Sequence, residues 1–152
     1  PDELKNMDDQ EQSHTDSRVA YLDKLIKTYF NTLLDKYQSI DKIPLDEQLD
    51  LHYLICNPSS YCETIENLFD LSFLVKEGRV AIKIDKHKIL KICATNPPDD
   101  VDLTNGIDAS QFVFKLTYND YNIMKQHLLA QEIQTGFIPS RYSSPQSSQK
   151  SQ

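Results

Sequence analysis

Three cysteines and four histidines are the side chains of this 152-residue chain best suited to hold a metal or to act as nucleophiles. Their spacing argues against both roles. His52, Cys56 and Cys62 share one short stretch, while His87 and Cys93 stand apart. Zinc sites want ligand pairs separated by about two to four residues, with a second matching pair. Buried apolar thiols are the plainer expectation. Cys62, near an expected helix start, would have its thiol acidified by the helix dipole, but no signature of a catalytic cysteine surrounds it. The chain holds only 3 Gly, and Gly78, Gly106 and Gly136 are isolated, so no phosphate-cradling loop exists and ATP hydrolysis is not expected. The acidic pairs Asp8/Asp9, Asp46/Glu47 and Asp99/Asp100 all fall in segments that read as loops or tails, where charge is ordinarily solvated. No enzyme site emerges, and no cofactor or metal is required.

Two other groupings have the right residue types for binding. Lys76, Arg79, Lys83, Lys86, Lys88 and Lys91 against Glu77 and Asp85 make a local charge of +4 in a chain whose net charge is −7. Lys83, Lys86, Lys88 and Lys91 lie on an expected hairpin. They would either protect a sheet edge from aggregation or contact nucleic-acid phosphates as a wing. No Arg-rich recognition helix accompanies them. The second grouping is Tyr121, Met124 and Leu128, one stripe of an expected C-terminal helix, extended by Ile123, His127 and Leu129. It would be either domain core or a protein interface; periodicity alone does not choose.

These residues need elements to carry them. From Arg18 to Ser39 the apolar positions Val19, Leu22, Leu25, Ile26, Tyr29, Phe30, Leu33, Leu34 and Tyr37 recur at helical spacing, with Ser17 as the expected N-cap. Residues 1–16 carry −5 of the total charge and are expected to form a flexible acidic segment. Pro44 stops the helix. Leu49, Leu51, Tyr53 and Ile55 alternate like a half-buried strand. After Asn57-Pro58, Ser59 or Ser60 would cap a helix, with Glu63 completing a capping box and Gly78 ending the segment. Val80–Ile84 and Ile89–Cys93 read as a β-hairpin around Asp85-Lys86-His87-Lys88. Residues 95–110 read as a loop, Gln111–Thr117 as a strand bearing Phe112 and Phe114, and about Asn119–Gln131 as a helix capped by Asn119 or Thr117. The Ser/Gln-rich residues 140–152 are expected to be disordered.

No apolar run approaches the ~20 residues of a membrane-spanning helix, and the acidic N-terminus does not resemble a secretory signal. Three cysteines without a disulfide framework fit a reducing compartment. The expected architecture is one α+β domain over 17–139, a small antiparallel sheet packed by about three helices in the order of a winged helix.

The segment ICNPSSYCETIENLFDLSFLVKEGRVAIKIDKHKIL closely resembles the C-terminal domain of the non-SMC element 4 proteins, with Thr64, Glu66, Asn67, Phe69, Ser72, Phe73 and Gly78 carrying the match and Glu77 standing where the family often has Asp. The resemblance extends well over 49–92 and loosely over 111–131. It implies a non-enzymatic kleisin domain from the C-terminal part of a longer protein. Its partner would be the head of an SMC ATPase, the kappa-type fifth SMC protein, and it would close a ring or clamp around DNA in recombination repair and chromosome segregation. It further implies other SMC and non-SMC partners, a nuclear, chromosome-associated location, and head-binding residues at Tyr121, Met124, Leu128, Phe112 and Phe114. The rival expectation is a DNA-binding winged helix acting through Lys83, Lys86, Lys88 and Lys91.

Overall fold

The computed structural model describes residues 2–94 and 115–142. Helix α1 runs from Asp2 to Tyr37, followed by two 3-10 turns (Ile40–Lys42 and Leu45–Glu47), strand β1 (Leu49–Asp50), short helix α2 (Leu51–Ile55), helix α3 (Tyr61–Lys76), strands β2 (Val80–Ile84) and β3 (Leu90–Ala94), and helix α4 (Tyr118–Ala130). The three strands form one antiparallel sheet in the order β1-β3-β2, with Leu49 opposite Ile92 and Ile82 opposite the same residue from the other side. The result is a small α+β domain.

The core forms where the apolar stripes converge. Leu22, Ile26 and Phe30 of α1 meet Leu68, Leu71, Leu74 and Val75 of α3, while the sheet contributes Leu49, Val80, Ile82 and Ile92. Tyr121, Met124 and Leu128 of α4 close the cluster together with Ile138. Removing such surface from water is the main stabilising contribution.

Helix ends follow local chemistry. The Ser60 side chain accepts the Glu63 backbone N–H at the start of α3. The expected return bond of a capping box is not made, because the Glu63 carboxylate is engaged elsewhere. At the other end Gly78 adopts φ +70°, its N–H bonds Val75 O, and the Arg79 N–H bonds Leu74 O, the Schellman arrangement that favours glycine. Helix α4 begins with the full reciprocal box between Thr117 and Asp120, so Thr117 is the cap and Asn119 lies inside the helix. The hairpin turn holds because the Asp85 carboxylate accepts the N–H groups of His87 and Ile89, both at 2.9 Å.

Several expectations change. α1 starts at Asp2 rather than after Ser17. No Pro or Gly interrupts residues 2–37, so the acidic stretch continues the helix and Ser17 caps nothing. The expected strand Leu49–Ile55 is strand only at Leu49–Asp50. Leu51, Leu54 and Ile55 are the buried positions of α2, at the three-and-four spacing of a helix. Lys115–Thr117 form no regular element. The loop 95–110, Phe112, Phe114 and the tail beyond Tyr142 lie outside the described residues. Ser140, Arg141 and Tyr142, expected to open a disordered tail, are bonded to α3.

Candidate docking groove and the polar clasp beside it

Helix α4 is positioned by a polar junction at the entrance to α3. The Tyr121 hydroxyl donates to Asn57 O at 2.8 Å, and the Asn57 N–H donates to Thr64 Oγ1 at 2.9 Å. Asn57 Nδ2 donates to Glu63 Oε2 at 2.6 Å, and Asn67 Nδ2 to Ile55 O at 2.9 Å. All of these groups are buried, and buried polar groups persist only when partnered in this way. Glu63 is also the receptor of the C-terminal segment. Its carboxylate accepts the Ser140 hydroxyl and the Arg141 N–H at 2.8 Å. The Arg141 guanidinium then reaches Glu66, Asn67 and Asp70.

Because that junction turns one face of α4 inward, Tyr121, Met124 and Leu128 are only 3%, 7% and 3% exposed. They are core residues, not a free stripe. The outward positions are Tyr118, Ile123 and Leu129. Yet two of the expected residues retain an accessible edge. A groove of about 770 Å³ runs between α4 and the β1 side of the sheet, lined by Ile123, Met124 and Leu128 on one wall and by Leu49, Leu51 and Leu90 on the other. Tyr29 and Tyr53 lie along it as well. Burial raises the Tyr29 hydroxyl above its ordinary value, with Lys91 opposing. Desolvation holds the His52 imidazole, also on the groove, below its usual range, and nearby His127 acts in the same direction.

The basic residues separate into two kinds. Lys83, Lys86 and Lys88 are exposed on the hairpin, and Lys88 sits at φ 61° in the turn. Lys91 is 6% exposed. Its ammonium donates to Asp46 O at 3.1 Å, Gln48 O at 3.3 Å and the Asp50 carboxylate. The expectation that Lys91 meets a phosphate is therefore corrected: it stitches β3 to the segment before β1, and its three donors are taken. The thiols behave as structural residues. Burial pushes both Cys56 and Cys93 up to about 11, while Cys62 is exposed. Among the described residues no group of three or more His, Cys, Asp or Glu could hold a metal ion.

Sequence reasoning missed three features here. Asp70, wholly buried among cations, looks like any helix-surface acid in the sequence. Tyr29 reads as part of a wide helical stripe and Tyr53 as part of a half-buried strand, and neither marks a groove. Asp46 and Glu47, read as solvated loop charge, border the groove. Only the helical spacing that puts Asp70 on one face with Asn67 and Leu74 hinted at the first.

Residues 48–134 match the family model described as Nse4 C-terminal. The chain belongs to the Nse4 family, through that family's C-terminal domain. Among curated relatives, non-structural maintenance of chromosomes element 4 homolog A of Arabidopsis thaliana is 32% identical over 127 residues, covering 83% of this chain and 27% of the relative. Non-structural maintenance of chromosome element 4 of Schizosaccharomyces pombe is 39% identical over 89 residues, covering 57% of the chain and 28% of the relative. The human homolog A is 23% identical over 123 residues, covering 80% and 29%. The chain thus spans under a third of the length of these Nse4 relatives. The polar junction of Asn57, Glu63, Thr64 and Asn67, together with the Gly78 terminus, lies inside the Nse4 match.

Proposed function

We propose that this domain is the kleisin end of an SMC complex. It docks without catalysis on the head of the kappa-type, fifth SMC ATPase, and so closes a ring or clamp around DNA in the nucleus during repair and chromosome segregation. The observation that carries the reading is the apolar groove between α4 and the sheet, with Met124 and Leu128 in its wall and exposed Ile123 at its lip. The element order and the strand order β1-β3-β2 support a winged helix. Family membership supports the SMC partnership. A specific complex of this kind buries about 1,200–2,000 Å² in total, more than the groove alone, so the neighbouring surface of α4 belongs to the interface. Pull-down of the 152-residue chain with purified SMC heads tests the reading. Binding lost in Ile123→Asp with the fold retained supports it, and a well-folded wild-type chain that binds no head at micromolar concentration rejects it.

A second reading has its own observation. Lys83, Lys86 and Lys88 are exposed together on one hairpin, and exposed lysines engage phosphates with strong salt dependence. Direct DNA contact by this wing would accompany head docking. A triple Glu substitution that leaves DNA retention unchanged removes it.

A further inference from the structure

We infer that the occupant of the groove is a cationic amphipathic segment, with apolar side chains entering it and Lys or Arg on its margins. The inference rests on the docking reading above and gives its partner a chemistry. The floor is apolar, but among the described residues Asp46, Glu47, Asp50 and Asp120 line the groove against a single charged lysine, Lys115. Nearby cations do not cancel this rim. Lys91 compensates Asp50 from beneath, with its ammonium already saturated by three oxygens. Lys36 lies 3.7 Å from Glu47 in an exposed pair, an arrangement worth little in water. Among the described residues neither the Asp46 nor the Asp120 carboxylate joins an ion pair, and Asp120 accepts the Thr117 N–H at the start of α4. Tyr29 and Tyr53 add aromatic surface beside the Asp46–Asp50 end, and aromatic faces attract ammonium and guanidinium groups. An anionic or purely apolar segment would desolvate these carboxylates without replacing their lost hydration. A basic one would pair with them and be steered toward them during encounter.

Two measurements on the 152-residue chain test this. In the first, a helical peptide of alternating Leu and Lys faces is compared with its Leu/Glu counterpart by fluorescence anisotropy. The expected result is at least about tenfold tighter binding of the Leu/Lys peptide, reduced by salt and lost in Ile123→Asp. Equal binding of the two peptides, or Leu/Lys binding that survives Ile123→Asp, overturns the inference whatever the head does. In the second, SMC-head affinity is measured for wild type, for Asp46→Lys combined with Glu47→Lys, and for Lys24→Glu on the exposed side of α1 as a control. A loss of about tenfold or more is expected for the double variant and none for the control. Head binding that ignores the rim reversal overturns the inference but leaves docking standing, whereas no head binding by wild type removes the docking reading itself. Should a synthetic peptide of residues 111–117 of this chain bind and displace the head, the groove serves its own chain and the inference fails.

Discussion

The Arg18 guanidinium of α1 straddles the Asp70 carboxylate of α3, Nε to Oδ2 at 3.1 Å and Nη2 to Oδ1 at 3.2 Å. Asp70 is fully buried, and Arg141 reaches the same Oδ2 at 3.1 Å from the C-terminal segment. A buried carboxylate held by two guanidinium groups cannot lose its partners cheaply. The bond to Asp70 raises the Arg18 guanidinium above its ordinary value, so Arg18 stays charged at any working pH.

Arg18→Ala, which strands the Asp70 charge on one side, is expected to destabilise the domain by about 3–5 kcal/mol, read as a lower urea midpoint. Arg141→Ala should cost less, because Arg18 keeps its bidentate contact. Asp70→Leu removes the carboxylate that both arginines share and strands two guanidinium groups, so it should cost at least as much as Arg18→Ala; only exchanging the acid together with its arginines for apolar volume would be near neutral.

Met124→Glu and Leu128→Arg place charge in the core, and each is expected to abolish the cooperative unfolding transition followed by circular dichroism. Ile123→Asp, at a 60% exposed position of the same helix, should leave the transition within about 0.5 kcal/mol of wild type. A native-like spectrum for Leu128→Arg would contradict the inward placement of α4.

Thiol chemistry should be uneven. Burial pushes Cys56 and Cys93 up to about 11, and the thiolate is the reactive species. One thiol, Cys62, is expected to react promptly with a thiol reagent at pH 8, and the other two only after denaturant is added. Mass spectrometry of the early product identifies the residue.

Asp85 sets an acid limit on the hairpin. Backbone N–H groups, Ile89 first and then His87, hold its carboxyl below the usual value of 3.8. A depressed acid contributes stability above its unfolded pKa and loses it as pH falls through the folded one. The His87 and Ile89 amide resonances should therefore titrate with a midpoint below 3.8. Asp85→Asn should abolish that titration while the turn persists.

Helix α4 ends with Glu132 at φ 62°. The Glu132 N–H bonds Leu129 O and the Ile133 N–H bonds Leu128 O, the geometry in which glycine is unstrained. Glu132→Gly is expected to stabilise the domain by about 0.5–1 kcal/mol in thermal or urea unfolding.

Much of this was legible in the sequence. The expected boundaries of α3, Ser59 or Ser60 at one end and Gly78 at the other, enclose the helix because caps are local chemistry, with Ser60 the serine that caps, and the hairpin was legible from alternation on both sides of a polar turn. Leu49–Ile55 was not, since Leu51, Tyr53 and Ile55 fit a strand as well as a helix, and only packing on β3 and α3 selects between them. Lys91 follows the alternation of an outward residue, but the carbonyls that enclose it come from residues 46 and 48, far away in the chain. The three α4 residues proposed for docking were identified as a face; which side of the domain that face meets depends on Tyr121 finding Asn57 O, a tertiary event.

The joint use of Asp70 by Arg18 and Arg141 also has a mechanical meaning. The first long helix and the last described residues are fastened to one point on α3, so tension entering from either direction is carried into the middle of the domain and not left to peel its ends. Pulled from either side, the domain would give way only when that single carboxylate let go.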